Sequence, residues 1–279
     1  MESKKVVLVS LLVVAAFSFV PVAAHSLSQN SGAMFRENFS GVGLTSTQSE
    51  NWAGYAVTGG NYTVSNVTES FVVPTVDTGG NSYAAFWVGI DGFNDGTVEQ
   101  TGILAEPSGH GPHASTVYLV WYEFYPAAPV YASFDAAPGD LVYASVNYSH
   151  SSGIFTTYIS VSNSDGQLVG TFGHNQSVTG AQADSAEWIV EAPSSSSGVL
   201  PLANFGTAHF GKYYTDYTNT NYATVNGTYG SIGSFNNVTL IVMVSSNGTP
   251  EATPSALFDS GTSFNVTYDQ KTVHGHGPR

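Results

Sequence analysis

The chain is written in short β-forming segments, and that pattern constrains its fold more than any other feature. Tyr83 to Ile90, Thr116 to Tyr125, Leu141 to Tyr148, Phe155 to Ser162 and Val238 to Val244 are runs rich in β-branched and aromatic residues. Gly, Asn, Asp or Pro punctuates them, as turns require. Beyond the first two dozen residues no window of helical length carries a 3.6-residue period. The pattern predicts an all-β protein, and many short strands with turn-rich joints point to an antiparallel sandwich or jelly roll. The 279 residues, 42% of them hydrophobic, suffice for a sizeable core and sit near the upper size of one all-β domain. No internal repeat divides them.

The two ends depart from this pattern. Lys4-Lys5 precede a nearly unbroken apolar run from Val6 to Val20, and Val22-Ala23-Ala24 offers small residues for cleavage. Residues 1–24 therefore read as a secretory signal, cut after Ala24. The run is long enough to act, uncleaved, as a membrane anchor; the lack of a polar stop-transfer flank favours cleavage. Residues 25–50 are polar with weak strand character and read as a short pro-segment or disordered lead-in. Residues 51–270 read as the β domain and 271–279 as a disordered tail. Within the domain, Ser194 to Gly198 (SSSSG) reads as a flexible loop.

Charged residues make up 9% of the chain. Without the signal, four basic residues remain (Arg36, Lys212, Lys271 and Arg279) against nineteen acidic ones. A salt-adapted surface is dense in acids, whereas this chain is depleted of both signs and rich in Ser, Thr, Asn, Gly and Tyr. Such depletion suits strong acid, where protonated carboxyls leave every Lys and Arg as uncompensated positive charge. It also argues against nucleic acid or anionic membrane as a partner, since both are gripped through basic patches. There is no cysteine, so neither a disulfide framework nor thiol chemistry is available. Nine Asn-X-Ser/Thr triplets occur, a number that a chain this rich in Asn, Ser and Thr reaches largely by chance. The reading is an exported monomer, free of stable membrane association once the signal is cut.

Side chains two apart in a strand share a face. Trp87, Gly89 and Asp91 of FWVGIDG then project together, as do Trp121, Glu123 and Tyr125 of WYEFYP. In AEWIVEAP, Glu187, Ile189 and Glu191 take one side while Trp188 and Val190 take the other. A plain account is available for each acid, namely the solvated face of an antiparallel sheet.

The combination of motifs goes further. NWAGY at 51–55, FVVPT at 71–75, WVGIDG at 87–92, EQTG at 99–102, WYEFYP at 121–126 and AEWIVE at 186–191 occur in the order and approximate spacing of the glutamic peptidases, the eqolisin family of secreted acid endopeptidases. TPSALFDSGTSFNVTY, 253–268, resembles their closing strands, so the resemblance spans nearly the whole mature chain. It implies a two-sheet antiparallel β-sandwich of the concanavalin A-like jelly-roll type, with a Gln and a Glu as catalytic dyad on its concave face. Motif by motif these are Gln100 and Glu187, and Trp87, Asp91, Glu123 and Trp52 are expected to line the substrate cleft. Glu191 has the weaker claim to chemistry. The resemblance also implies protein or peptide substrates, no cofactor, no metal and insensitivity to pepstatin. The chain departs from fungal members in lacking cysteine and in following Glu191 with Ala192-Pro193 rather than another acid.

The chemistry suits acid on independent grounds. At about pH 3 imidazole, with a reference pKa of about 6.5, is protonated and is no base. Zinc is poorly held there, because its ligands must lose protons. A Glu with a reference pKa of about 4.3 is partly ionised, and a Gln amide donates N–H at any pH. A glycosidase or lectin is the first rival, but four residues of strand separate Glu187 from Glu191 by roughly 13 Å, against ~5 to 9.5 Å for paired glycosidase carboxyls. Glu187 with Glu123 remains open to that reading. A pepsin-like peptidase is the second, from VDTGG at 76–80 and FDSGTS at 258–263, although Gly80 stands where a bracing hydroxyl residue is needed. His110 and His113 form a weak chelating pair that reads as a solvated loop.

Overall fold

The computed structural model describes residues 44–109, 114–218 and 220–269. The expected signal, most of the lead-in, the His110 and His113 pair and the tail lie outside the described residues. Eleven strands run first: β1 (Leu44–Ser49), β2 (Trp52–Thr58), β3 (Val64–Val72), β4 (Ala84–Ile90), β5 (Val98–Ser108), β6 (Ser115–Tyr125), β7 (Val130–Ala136), β8 (Leu141–Ser149), β9 (Ile154–Ser162), β10 (Leu168–Gln176) and β11 (Ser185–Glu191). Shorter strands follow: β12 (Ser194–Ser195), β13 (Gly198–Val199), β14 (Thr207–Phe210), β15 (Lys212–Tyr213), β16 (Asp216–Tyr217), β17 (Tyr222–Val225) and β18 (Thr228–Ser231). A 3-10 turn, Ile232–Ser234, precedes β19 (Val238–Val244), β20 (Pro250–Pro254) and β21 (Phe264–Tyr268). The described residues contain no α-helix, as the absence of a helical period predicts.

Hydrogen bonding joins seventeen of these strands into one continuous network, not the two separate sheets expected. Every strand pairing is antiparallel except that of β1 with β19. One run reads β1, β19, β2, β11, β4, β5, β6, β7, and a second reads β18, β17, β3, β8, β9, β10. β20, β21 and β14 bridge them, ending on the single pair Phe210 and Phe71.

The runs pack face to face, β11 against β3 and β5 against β9. Between them lies the main core, where Phe210 stacks on Phe264 with centroids 4.6 Å apart and Trp188 is fully buried. The Trp188 indole N–H donates to the Thr68 carbonyl at 2.8 Å, tying β11 to the opposing run by a bond worth ~1 kcal/mol. A second apolar cluster, with Trp52, Trp87, Leu104, Trp121 and Ile189, covers the opposite face of the first run. β11 is thus buried on both faces along its whole length.

Two boundaries differ from expectation. Leu44–Ser49 is a strand in register with β19, so the folded domain begins before residue 51. Ser194–Val199 closes as a small hairpin, β12 with β13, where a flexible loop was expected.

Candidate active site

Cross-strand register assembles the site. Glu187 on β11 pairs with Gly89 on β4, Gly89 with Gln100 on β5, and Gln100 with Glu123 on β6. These four residues form one row across four neighbouring strands, on the face carrying the second apolar cluster. Two strand spacings, about 10 Å between backbones, separate Glu187 from Gln100. Gly89 stands between them without a side chain.

The acids in and beside this row are buried. Glu187 is 0% exposed, and Gln100, Glu123 and Glu191 are each 1% exposed, so the solvated-face account fails for all of them. The Gln100 amide donates to Glu123 Oε2 at 2.7 Å, which leaves its second N–H and its Oε1 open; Oε1 has no hydrogen-bond partner. Both carboxyl oxygens of Glu187 also lack one, as does the buried Trp121 indole N–H on the same face. Buried polar atoms are nearly always satisfied by protein or water, so these groups are open to hydrogen bonds from a molecule that reaches this face.

Burial pushes the Glu187 carboxyl well above the usual range, and the charges of Asp91, Asp184 and Asp95 push the same way. The Ser185 hydroxyl, two residues back, lies close enough to favour the anion but forms no well-aligned bond to it. Glu123 is likewise raised by burial and by the charge of Glu191, while the Gln100 bond opposes the rise. Glu191 is pushed up to about 8 by burial, against bonds from Trp87, Trp52 and Asn51 that favour its charged form. This direction runs against the partial ionisation expected of Glu187 in acid.

The residues expected to line the cleft divide. Trp87 and Trp52 lie on the site face and pack edge to face with centroids 4.9 Å apart. Glu123 orients Gln100. Asp91 does something else: just beyond β4 its backbone turns to φ 70°, and its carboxylate accepts the backbone N–H groups of Gln182, Ala183 and Asp184 at 2.8–2.9 Å. It braces the loop that enters β11. The sequence reading missed the anchoring of Glu191, whose oxygens accept the Trp87 indole N–H at 2.8 Å and the Asn51 amide at 3.3 Å. The phase of AEWIVE, with Glu191 on the side of Glu187, was the available signal.

No group of three or more His, Cys, Asp or Glu among the described residues is arranged to hold a metal ion. A depression of about 480 Å³ lies elsewhere, over Thr156–Tyr158 and Thr171–Asn175 of β9 and β10, and no carboxylate lines it.

The chain is similar to known proteins in sequence and in fold. The chain is 31% identical to Aspergillopepsin-2 of Aspergillus niger over 186 residues, 58% of this chain and 62% of that protein's length. Its fold matches the crystal structure of scytalido-glutamic peptidase with a transition state analog inhibitor at a TM-score of 0.60, with 23% identity over 79% of this chain and 98% of the other. The aspergilloglutamic peptidase of Aspergillus niger matches at 0.51, with 27% identity over 67% of this chain and 99% of the other. The Peptidase A4 family matches residues 50–268, all strands from β2 to β21, and to that family, the eqolisin-type glutamic peptidases, this chain belongs.

Proposed function

We propose that this protein is an acid endopeptidase in which Glu187 serves as general base and then acid, and Gln100 as oxyanion donor. One observation carries the reading: a carboxyl with two bare oxygens and a carboxamide with an open N–H flank a glycine in a single cross-strand row. A water entering over Gly89 gives a proton to Glu187 as its oxygen adds to the peptide carbonyl carbon. The carbonyl oxygen becomes an oxyanion that accepts the second N–H of Gln100; loss of such a donor costs ~3 kcal/mol. Glu187 then returns the proton to the nitrogen as the C–N bond breaks, which yields a carboxylic acid and an amine. Burial disfavours the ionised Glu187 that this sequence needs. Water and substrate admitted to the face supply hydrogen bonds to its bare oxygens and favour the anion.

The rivals lose support from the geometry. Glu123 is engaged by the Gln100 amide at 2.7 Å, with the strands of Gly89 and Gln100 between its own and that of Glu187, which makes it the partner of Gln100 and not the second acid of a glycosidase pair. Asp77 and Asp259 are exposed residues of unconnected turns, one capping Gly79 through its side chain and the other at φ 52°. On the same reading, the two long runs are the sheets of a concanavalin-like sandwich, and residues 1–24 are cut on export so that the secreted chain begins at His25.

Casein digestion at about pH 3 by the purified protein is expected, undiminished by a chelator or by pepstatin. Glu187→Gln keeps the bulk and the hydrogen-bonding reach but removes the proton acceptor, and should leave a folded protein whose turnover is at least about 100-fold lower. Wild-type turnover by that variant would end the assignment.

A further inference from the structure

The Trp87 indole is seated by glycines. Across β4 and β5 it faces Gly102, where a Cβ would stand 2.6 Å from the Trp87 Cβ. A Cβ on Gly89 would stand 2.9 Å from Cζ3 of the Trp87 ring. The benzo edge of the indole therefore lies over Gly89, in the row between Glu187 and Gln100. Its N–H end points the other way, to Glu191 Oε2 at 2.8 Å. Glu191 is itself fixed by the Asn51 amide, whose carbonyl oxygen accepts the Ser49 hydroxyl at 3.0 Å.

We infer that Glu191 is a positioning residue: through the indole N–H it holds the Trp87 ring as the floor on which water and the scissile carbonyl sit between Glu187 and Gln100. The inference rests on the roles proposed for those two residues. A ring pinned only by packing is free to slide along the glycine track, and the space over Gly89 would change depth with it. Near-attack geometry tolerates little of that, since a displacement of about 1 Å costs roughly 100-fold. Glu191 holds its proton in acid, which makes Gln its isostere there; the amide oxygen of a Gln accepts the same indole N–H.

The test combines turnover with the four indole N–H resonances of the 15N-labelled protein, that of Trp87 being identified by its loss in Trp87→Phe. Glu191→Leu should lower kcat about 10- to 100-fold, with KM little changed, and should move the Trp87 resonance upfield. Trp87→Phe, which keeps a ring but no donor, should lose a similar factor, and the double variant no more than the worse single one. Glu191→Gln should restore both turnover and resonance. An active Glu191→Leu, or an unmoved Trp87 resonance in that variant, would overturn the inference, as would additive losses in the double variant. If Glu187→Gln is itself active, the reading of the dyad fails first, and that outcome is separate from these.

Discussion

Glu69 and Glu99 point into the core between the two runs of strands, whereas Glu123, Glu187 and Glu191 occupy the opposite face of the first run, and all five are at most 1% exposed. Burial raises every one of them above the usual carboxyl range. What separates the regions is direction. Glu69 has no hydrogen-bond partner, and only its desolvation matters. Glu99 sits near Asp91 and Asp95 at the rim of the core, also without a well-aligned partner. On the site face, Glu123 and Glu191 each hold a neighbour, Gln100 and Trp87, that belongs to or borders the row of the proposed dyad. A buried acid is merely neutral until its surroundings aim it at something.

Truncation should break that contrast most visibly in activity. Glu123→Ala frees the Gln100 amide to rotate and is expected to lower kcat about 100-fold. Glu123→Gln, which still offers an oxygen to Gln100 Nε2, should recover most of the loss. Glu69→Leu should leave kcat unchanged. A peptidase assay of the three variants at one acidic pH decides it, and equal losses from Glu123→Ala and Glu69→Leu would erase the distinction between the two faces.

In stability the two faces count alike. A carboxyl raised in the folded state keeps its proton where the unfolded chain, titrating near about 4.3, has lost it. Its contribution is full below that value and is lost as pH rises toward the folded value, at about 1.4 kcal/mol per pH unit for each group. Melting temperatures measured upward from about pH 4.3 should fall, and Glu69→Leu should remove one group's share of the slope. An unaltered slope would mean that Glu69 is not held neutral in the fold.

Alternation was legible: AEWIVE sends Trp188 and Val190 to the main core and Glu187, Ile189 and Glu191 to the other face, as its phase predicts. Register was not. Nothing in the residues sets Gly89 opposite both Glu187 and Gln100, because strand pairing depends on loops and packing along the whole run. β1 escaped notice for a different reason, since LTSTQS has no apolar side to bury and is held by parallel pairing to β19. Asp91 misled because its phase with Trp87 ends where the chain turns at positive φ, a local event that side-chain alternation does not record.

The smallest expected effect tests whether the loop around Asp91 reaches across to the site face. Asp95 accepts the Gly92 backbone N–H at 2.8 Å and the Thr97 hydroxyl at 3.3 Å, and its charge helps to raise Glu187. Asp95→Asn keeps an oxygen for the Gly92 bond and removes the charge. With one negative neighbour fewer, Glu187 ionises more readily, so the acid limb of the pH–kcat/KM profile, which reports the free enzyme's essential base, should move to lower pH. The plateau should stay where it was, because no group in the dyad has changed. A limb that stays in place would mean that burial alone sets Glu187, and a limb that moves to higher pH would show that the Asp95 loop acts on the dyad by position instead of by charge.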